Sequence, residues 1–573
     1  MEDPPLPTDT IQRLRALDPD AIGRARRLVA ARRLSGHALV AEALRRCGIR
    51  RVFGIPGTPV DPLFAECAGR GMRLIGARHQ QAAGLMAAAA NYVAGRAESA
   101  VIISAGPAVT NVATALLVAR ENGWPLIALG GRRALAPTGV GHFQDLDAIP
   151  LLSTITKEAR VARSTADLTP MIFHAFATAS KGRPGPVYLD LPEDVLIGSA
   201  SADSAPAPQA PPRDEPNPAT IGRAAALLAS SDRPLLILGE ELRWFPADTA
   251  LERLVGRCGI PFITSPMGRG LLPDDHPLCA NDIRHEIQAR ADTVIMAGAW
   301  FDWRFRFGCE LAPGARVIHA HSEPSTIGKN IHLAAGCACD PGAFLSRLAD
   351  AFDGADACHR RCSPWREAIA QGLASSRRRR EAWLHHESSP MSPQCLFREI
   401  RDSLPADAIV TVEGNVSLAC AQRILIARRP ASCLDPGQHG CMGTALPFAM
   451  GAKLALPERP VIALCSDMGF ALNAVEFETA VRHRIPVVAV IANNDGNTGA
   501  LRQQRHLPGH PEKFSQYLPG LRYDRFVETL GAHAAWITRA TDVRPALLAA
   551  LDSGLPACIN VAVDPCADGP GPW

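Results

Sequence analysis

Asp467 and Asn494, 27 positions apart, with Gly496 just beyond, are the residues of this chain best placed to do chemistry together. The stretch around them reads VIALCSDMGF, then NAVEFETAVRH, then PVVAVIANNDG. An apolar run, an amphipathic helical segment and a second apolar run predict a βαβ unit in a buried parallel sheet. Ligands of such sheets bind at the carboxyl ends of the strands, and Asp467 and Asn494 both fall just past those ends. One carboxylate, one amide oxygen and a nearby backbone carbonyl form an oxygen-only set. Such a set suits Mg²⁺, which keeps water and phosphate oxygens as its other ligands. The local chemistry is that of magnesium and a diphosphate.

The elements that must carry these residues belong to a large chain. At 573 residues it is too long for one core. An apolar fraction of 47%, a charged fraction of 20% and a net charge of +3 describe a globular protein with no pull toward nucleic acid or acidic surfaces. Of the 16 cysteines, Cys337/Cys339 and Cys358/Cys362 lie close together, but none has zinc-like spacing. They read as buried, reduced thiols of a cytoplasmic protein. The opening MEDPPLPTDT is not a secretory signal, and no apolar run reaches the roughly 18 residues of a membrane span.

Residues 1–33 predict an Arg- and Ala-rich helical extension. From 34 to 196, short apolar runs (RVFG, RLIGA, AVIIS, PLIALGG, PVYLDLP) alternate with helical segments, predicting a first open α/β domain. Residues 197–218 run into Pro, Ala and Ser without periodicity and predict a linker. A second α/β domain spans 219–352, a polar helical connector 353–390, a third α/β domain 391–563 and a Gly/Pro tail 564–573. The expected fold class is α/β, with three open, doubly wound parallel-sheet domains.

Asp467 followed by Asn493-Asn494 resembles the thiamine-diphosphate (ThDP) motif, Gly-Asp-Gly followed some two dozen residues later by Asn-Asn; here Ser466 and Met468 replace the glycines. The domain order also resembles the pyrimidine-binding, central and diphosphate-binding domains of the ThDP-dependent decarboxylase and carboligase superfamily. The resemblance implies ThDP and Mg²⁺ as cofactors. Asp467, Asn494 and the Gly496 carbonyl would hold the metal, with Met468 and Gly469 beside the cofactor. Gly440-Cys441-Met442-Gly443 resembles the family's Gly-x-Met-Gly, making Met442 the apolar wedge under the cofactor and the Gly440 carbonyl the acceptor for its 4′-amino group. TVEGNVS places Gly414, Asn415 and Val416 in a turn whose N–H groups would wrap the diphosphate.

The first domain supplies the other half of such sites, across a two-fold interface, which implies a homodimer or homotetramer. FGIPGTP and SAGPAVTN resemble its Gly/Pro loops, and HFQDLD resembles a stretch that lines the substrate pocket, which would put Phe143 and Gln144 there. The main departure is Arg78-His79-Gln80, where the family has Arg-His-Glu. That Glu relays protons to the pyrimidine N1′; an amide holds a hydrogen bond but cannot relay a proton. The resemblance therefore implies that Gln80 orients the ring without acid–base work.

PMGRGLLPDDHPLC and AGAWFDWRFRFG resemble segments of 2-hydroxyacyl-CoA lyases and oxalyl-CoA decarboxylases. Trp303 and Phe307, within the second, read as central-domain core. Asn497-Thr498 replaces the usual Ile-Tyr after the Asn pair, and VDPCADGPGPW lacks the aromatic lid that closes over a CoA thioester. The expected function is a ThDP- and Mg²⁺-dependent C–C lyase or carboligase. Its substrate is a 2-keto acid, or a 2-hydroxyacyl or oxalyl thioester. The alternatives are an acetolactate- or glyoxylate-type carboligase and a ThDP-binding protein without turnover.

Overall fold

The computed structural model describes residues 33–135, 140–202, 213–352, 355–385, 388–497 and 515–567. The helix expected within 1–33, residues 203–212 of the linker, Thr498 and the end of the tail fall outside the described residues. Strands Val461–Ser466 and Val488–Asn493 are almost wholly buried, as their unbroken apolar runs require of a sheet covered on both faces.

Three parallel sheets form the three expected α/β domains. In the third, the six strands lie in the order Cys433–Leu434, Ile409–Val412, Val461–Ser466, Val488–Asn493, Ala557–Ala562, His533–Ile537. The chain starts at Ile409–Val412 and winds away on both sides, so its topological switch point lies between that strand and Val461–Ser466. The first sheet repeats the scheme, with its switch point between Arg51–Ile55 and Ser99–Ile103. The central sheet has five parallel strands, with Pro234–Leu238 beside Thr293–Ala297 at its switch point. Ser199–Ser201, within the expected linker, pairs antiparallel with Arg33–Ser35 at the end of the expected extension. Among the described residues, no helix is long and apolar enough to cross a membrane.

The helix Gln80–Ala94 is the hinge of the architecture. Ala82 and every residue from there to Val93 are buried, because this helix packs on its own sheet, on helix Pro107–Asn122 and on helix Ala445–Ala455 of the third domain. The last contact is backbone on backbone: a Cβ at Gly451 would lie 2.2 Å from the Met86 carbonyl oxygen. Its Ala-rich sequence is what permits helices to approach so closely. Trp303 and Phe307, expected in the central core, are instead 51% and 54% exposed. A short 3₁₀ segment with positive φ at Arg306 and Phe307 turns them out of the core, and the Trp303 indole N–H donates to the Gln438 carbonyl at 3.0 Å.

Gly451→Ala is expected to destabilise the protein by about 1–3 kcal/mol by forcing the two helices apart. That outweighs the roughly 1 kcal/mol of helix propensity the alanine brings. The urea midpoint measures the effect, and an unchanged or raised midpoint contradicts the packing described.

Candidate functional site

The third sheet's switch point gathers its polar residues on three consecutive turns. After Ile409–Val412 comes Glu413-Gly414, with Gly414 at φ +85°. A Cβ there would lie 2.9 Å from that of Ser466 in the next turn, so only glycine lets the two turns touch. After Val461–Ser466 the chain enters a short helix capped by Ser466, whose Oγ accepts the Gly469 N–H at 3.0 Å. After Val488–Asn493, the Asn493 side chain donates to the Leu521 carbonyl at 3.1 Å and accepts the Asp495 N–H at 3.2 Å, fixing where Asn494 and Gly496 fall.

Asp467 is buried, with its Oδ1 accepting the Met468 N–H at 2.7 Å and its Oδ2 the Gly496 N–H at 3.0 Å. Burial pushes its carboxyl up to about 6, against those hydrogen bonds. A buried carboxylate of this kind favours a cation beside it. A cavity of about 190 Å³ opens here, lined by Asp467, Asn494 and Gly496, by Gly414, Asn415 and Val416, and by Met442 and Met468. Among the described residues no cluster of three His, Cys, Asp or Glu offers a metal another site. The donor set is oxygen-only and faces a turn rich in backbone N–H groups, so the residues fit a magnesium-held diphosphate.

Two of the expected residues stand back from the cavity. Gly440, at φ +59°, lies exposed just before the Met442 loop. Gly469 is buried in the turn after Asp467, where a Cβ would lie 1.9 Å from Glu413 Oε1. Glu413, absent from the expected set, is a fully buried carboxyl joining the two halves of the site. Its Oε2 accepts the Thr444 N–H at 2.9 Å, and the N–H groups of Gly443 and Ala445 also favour its charged form. Its Oε1 has no hydrogen-bond partner among the described residues. Burial raises its carboxyl to about 7. The signal was legible: an acid ending the apolar strand IVTV has no apolar reason to be there.

The first-domain residues gather elsewhere. Gln80 starts its helix just after the His79 N-cap, with its Oε1 accepting from Asn111 Nδ2 at 3.0 Å. Buried Glu476 of the third domain accepts the Arg78 and His79 N–H groups at 3.0 and 2.9 Å, and Thr479 Oγ1 donates to its other oxygen at 2.7 Å. Phe143 is 73% exposed under the Arg133 guanidinium, and Gln144, at φ +60°, packs over Gly106. Within one chain none of Gln80, Phe143 and Gln144 lines the cavity at Asp467. Sequence reasoning missed Glu476 and Asn111, although both lie within stretches it singled out, because their roles depend on partners far along the chain.

The chain matches the thiamine pyrophosphate enzyme N-terminal TPP binding domain over residues 34–151, the central domain over 221–348 and the C-terminal TPP binding domain over 414–561. It is 31% identical to a 2-hydroxyacyl-CoA lyase of Oryza sativa subsp. japonica, an alignment covering 94% of this chain and 97% of the relative. It is 32% identical to a probable acetolactate synthase of Mycobacterium bovis, covering 92% and 95%. It is 30% identical to an oxalyl-CoA decarboxylase of Escherichia coli K12, covering 93% and 95%.

Glu413 gives the fold a defined pH dependence. Below about pH 4.5 the group is protonated in folded and unfolded chains alike. As pH rises to about 7 the unfolded chain loses this proton first, so stability falls by about 3 kcal/mol and then levels off. Urea unfolding of wild type and Glu413→Gln at pH 5 and pH 8 isolates this contribution. The difference between the two proteins should change by that amount in favour of the variant at pH 8; a pH-independent difference contradicts the assignment.

Proposed function

Because the chain belongs to the thiamine-diphosphate-dependent enzyme family, we propose that it is a ThDP- and Mg²⁺-dependent C–C bond lyase acting on a 2-hydroxyacyl or oxalyl thioester. The observation that carries the cofactor reading is the oxygen-lined cavity at Asp467. Asp467, Asn494 and Gly496 would hold the metal, and the N–H groups of Gly414, Asn415 and Val416 the diphosphate. Met442 would support the cofactor from below. When bound, ThDP supplies a nucleophilic carbon and a positively charged ring that takes up the electrons of the breaking bond. Gln80 orients the pyrimidine by a hydrogen bond and moves no proton, so the Glu relay is absent from this chain's mechanism. The Gln80 face and the Asp467 cavity belong to different domains and do not meet within one chain, which supports completion of each site by a second copy.

The thioester reading rests on what lies beside Asn415. A cavity of about 310 Å³ runs from Asn415 past Asp435 and Trp303 to Arg284 and Gln422. A second, of about 340 Å³, shares Arg284 and Gln422 and ends at Arg379, Arg380 and Trp383 on the connector helix Ser363–Leu384. A 2-keto acid needs no such length. A substrate with an anionic, aromatic tail does, since arginines pair with phosphates and Trp offers a stacking face.

Asp467→Ala is expected to abolish the thermal stabilisation that ThDP gives with Mg²⁺; unchanged ThDP affinity contradicts the metal assignment. The substrate reading is tested by incubating the holoenzyme with oxalyl-CoA, a 2-hydroxyacyl-CoA and pyruvate while following CO₂ and aldehyde release. Release from a thioester is expected, and turnover of pyruvate alone contradicts it.

A further inference from the structure

Glu413 touches both sides of the cavity at Asp467 without lining it. Its two carboxyl oxygens do different things. Oε2 accepts the Thr444 N–H at 2.9 Å, just beyond Met442. Oε1 has no hydrogen-bond partner among the described residues. It faces Gly469, just beyond Asp467, where an added Cβ would lie 1.9 Å from it. The Gly469 N–H is already donated to Ser466 Oγ at 3.0 Å, so this second contact is steric. One oxygen holds a loop and the other abuts a turn, which makes the side chain a spacer. We infer that Glu413 is a positioning residue that sets the gap between the Met442 side chain and the Asp467 turn, and with it the room for the rings of ThDP. This rests on the reading that Met442 supports the cofactor.

Both ends of the spacer are fixed. At its root, the Glu413 N–H donates to the Leu464 carbonyl at 3.1 Å, in the strand that runs into Asp467. The side chain is wholly buried, so no water competes for its carboxyl. At its tip, Thr444 Oγ1 donates to the Cys441 carbonyl at 3.2 Å and closes the loop around Met442. Thr411 Oγ1 donates to the Ala445 carbonyl at 2.7 Å and ties the end of the loop to the strand before Glu413. A further contact works against the spacer. Asn473 Nδ2, at the end of the short helix that begins with Asp467, donates to the Gly443 carbonyl at 2.6 Å. That bond draws the loop toward the turn, and the Glu413 carboxyl stops the approach. Pull and stop both act on residues next to Met442, so the loop has one resting distance from Asp467.

The two parts of a ThDP molecule should feel this distance unequally. A diphosphate calls on the Asp467 turn and the N–H groups after Gly414, and is indifferent to where Met442 lies. Rings carried beyond the diphosphate are not indifferent, because Met442 lines the same cavity as Asp467 and Met468.

The test is isothermal titration calorimetry of the full-length protein with Mg²⁺ and either ThDP or inorganic pyrophosphate. Glu413→Ala should weaken ThDP binding about tenfold, the order of one hydrogen bond to a charged group, and leave pyrophosphate binding unchanged. The ThDP loss should vanish when Glu413→Ala is made in a Met442→Ala background, since the spacer then has no side chain to place. Glu413→Asp keeps the charge but is one methylene shorter, so it should behave as Glu413→Ala does, and it serves where the alanine variant fails to fold. Equal losses for ThDP and pyrophosphate would mean that Glu413 supports the whole site and would overturn the inference. A ThDP loss that persists undiminished in Met442→Ala overturns it too. If Met442→Ala weakens ThDP binding and neither Glu413 variant does, the inference fails alone. If Met442→Ala leaves ThDP affinity unchanged, Met442 does not support the cofactor and the underlying reading fails with it.

Discussion

The close approach of Gly451 to the Met86 carbonyl is the contact on which the rest of the structure depends. It joins the first and third domains helix to helix, and it forces the Gln80–Ala94 helix to be lined with alanine. From it follow the position of Gln80, at that helix's first turn, and the reach of Glu476 across the domain boundary to the N–H groups just before it. A carboxylate accepting two backbone N–H bonds away from water is worth more than a surface ion pair. The segment bearing Gln80 is thus positioned by the third domain of its own chain, and Gln80 is not among the residues that line the cavity at Asp467.

The second organising group is Glu413. It stands between the loop carrying Met442 and the turn carrying Asp467, accepting N–H groups from the first and pressing on Gly469 of the second. The glycine at 469 and the acid at 413 are one solution to one packing problem, since any side chain at 469 would occupy the space of the carboxyl. A buried acid with one unpartnered oxygen is costly to keep in a core, and here it links the loop of Met442 to the turn of Asp467.

The fold was legible because parallel strands buried on both faces are written as unbroken apolar runs, and VIALC and VAVIA are such runs. The placement of Asp467 and Asn494 at neighbouring turns was legible for the same reason: they are polar residues that follow those runs. Trp303 and Phe307 were misplaced in the core because aromatic content alone does not reveal the positive-φ turn that expels them. Glu413, Glu476 and Asn111 went unassigned because each draws its meaning from partners, such as Thr444, His79 and Gln80, that only the folded chain brings near.

The proposed reading stands or falls on position 80, where an amide would give bound ThDP a hydrogen bond but no acid–base relay. Exchange of the thiazolium C2 proton of bound ThDP, followed by NMR in wild type and Gln80→Glu, tests that claim directly. Restoring a carboxyl should accelerate exchange by up to the ~10²–10⁴-fold that a positioned acid–base group contributes. An unchanged rate with ThDP fully bound to both proteins would mean that Gln80 does not face the pyrimidine, and would contradict the account.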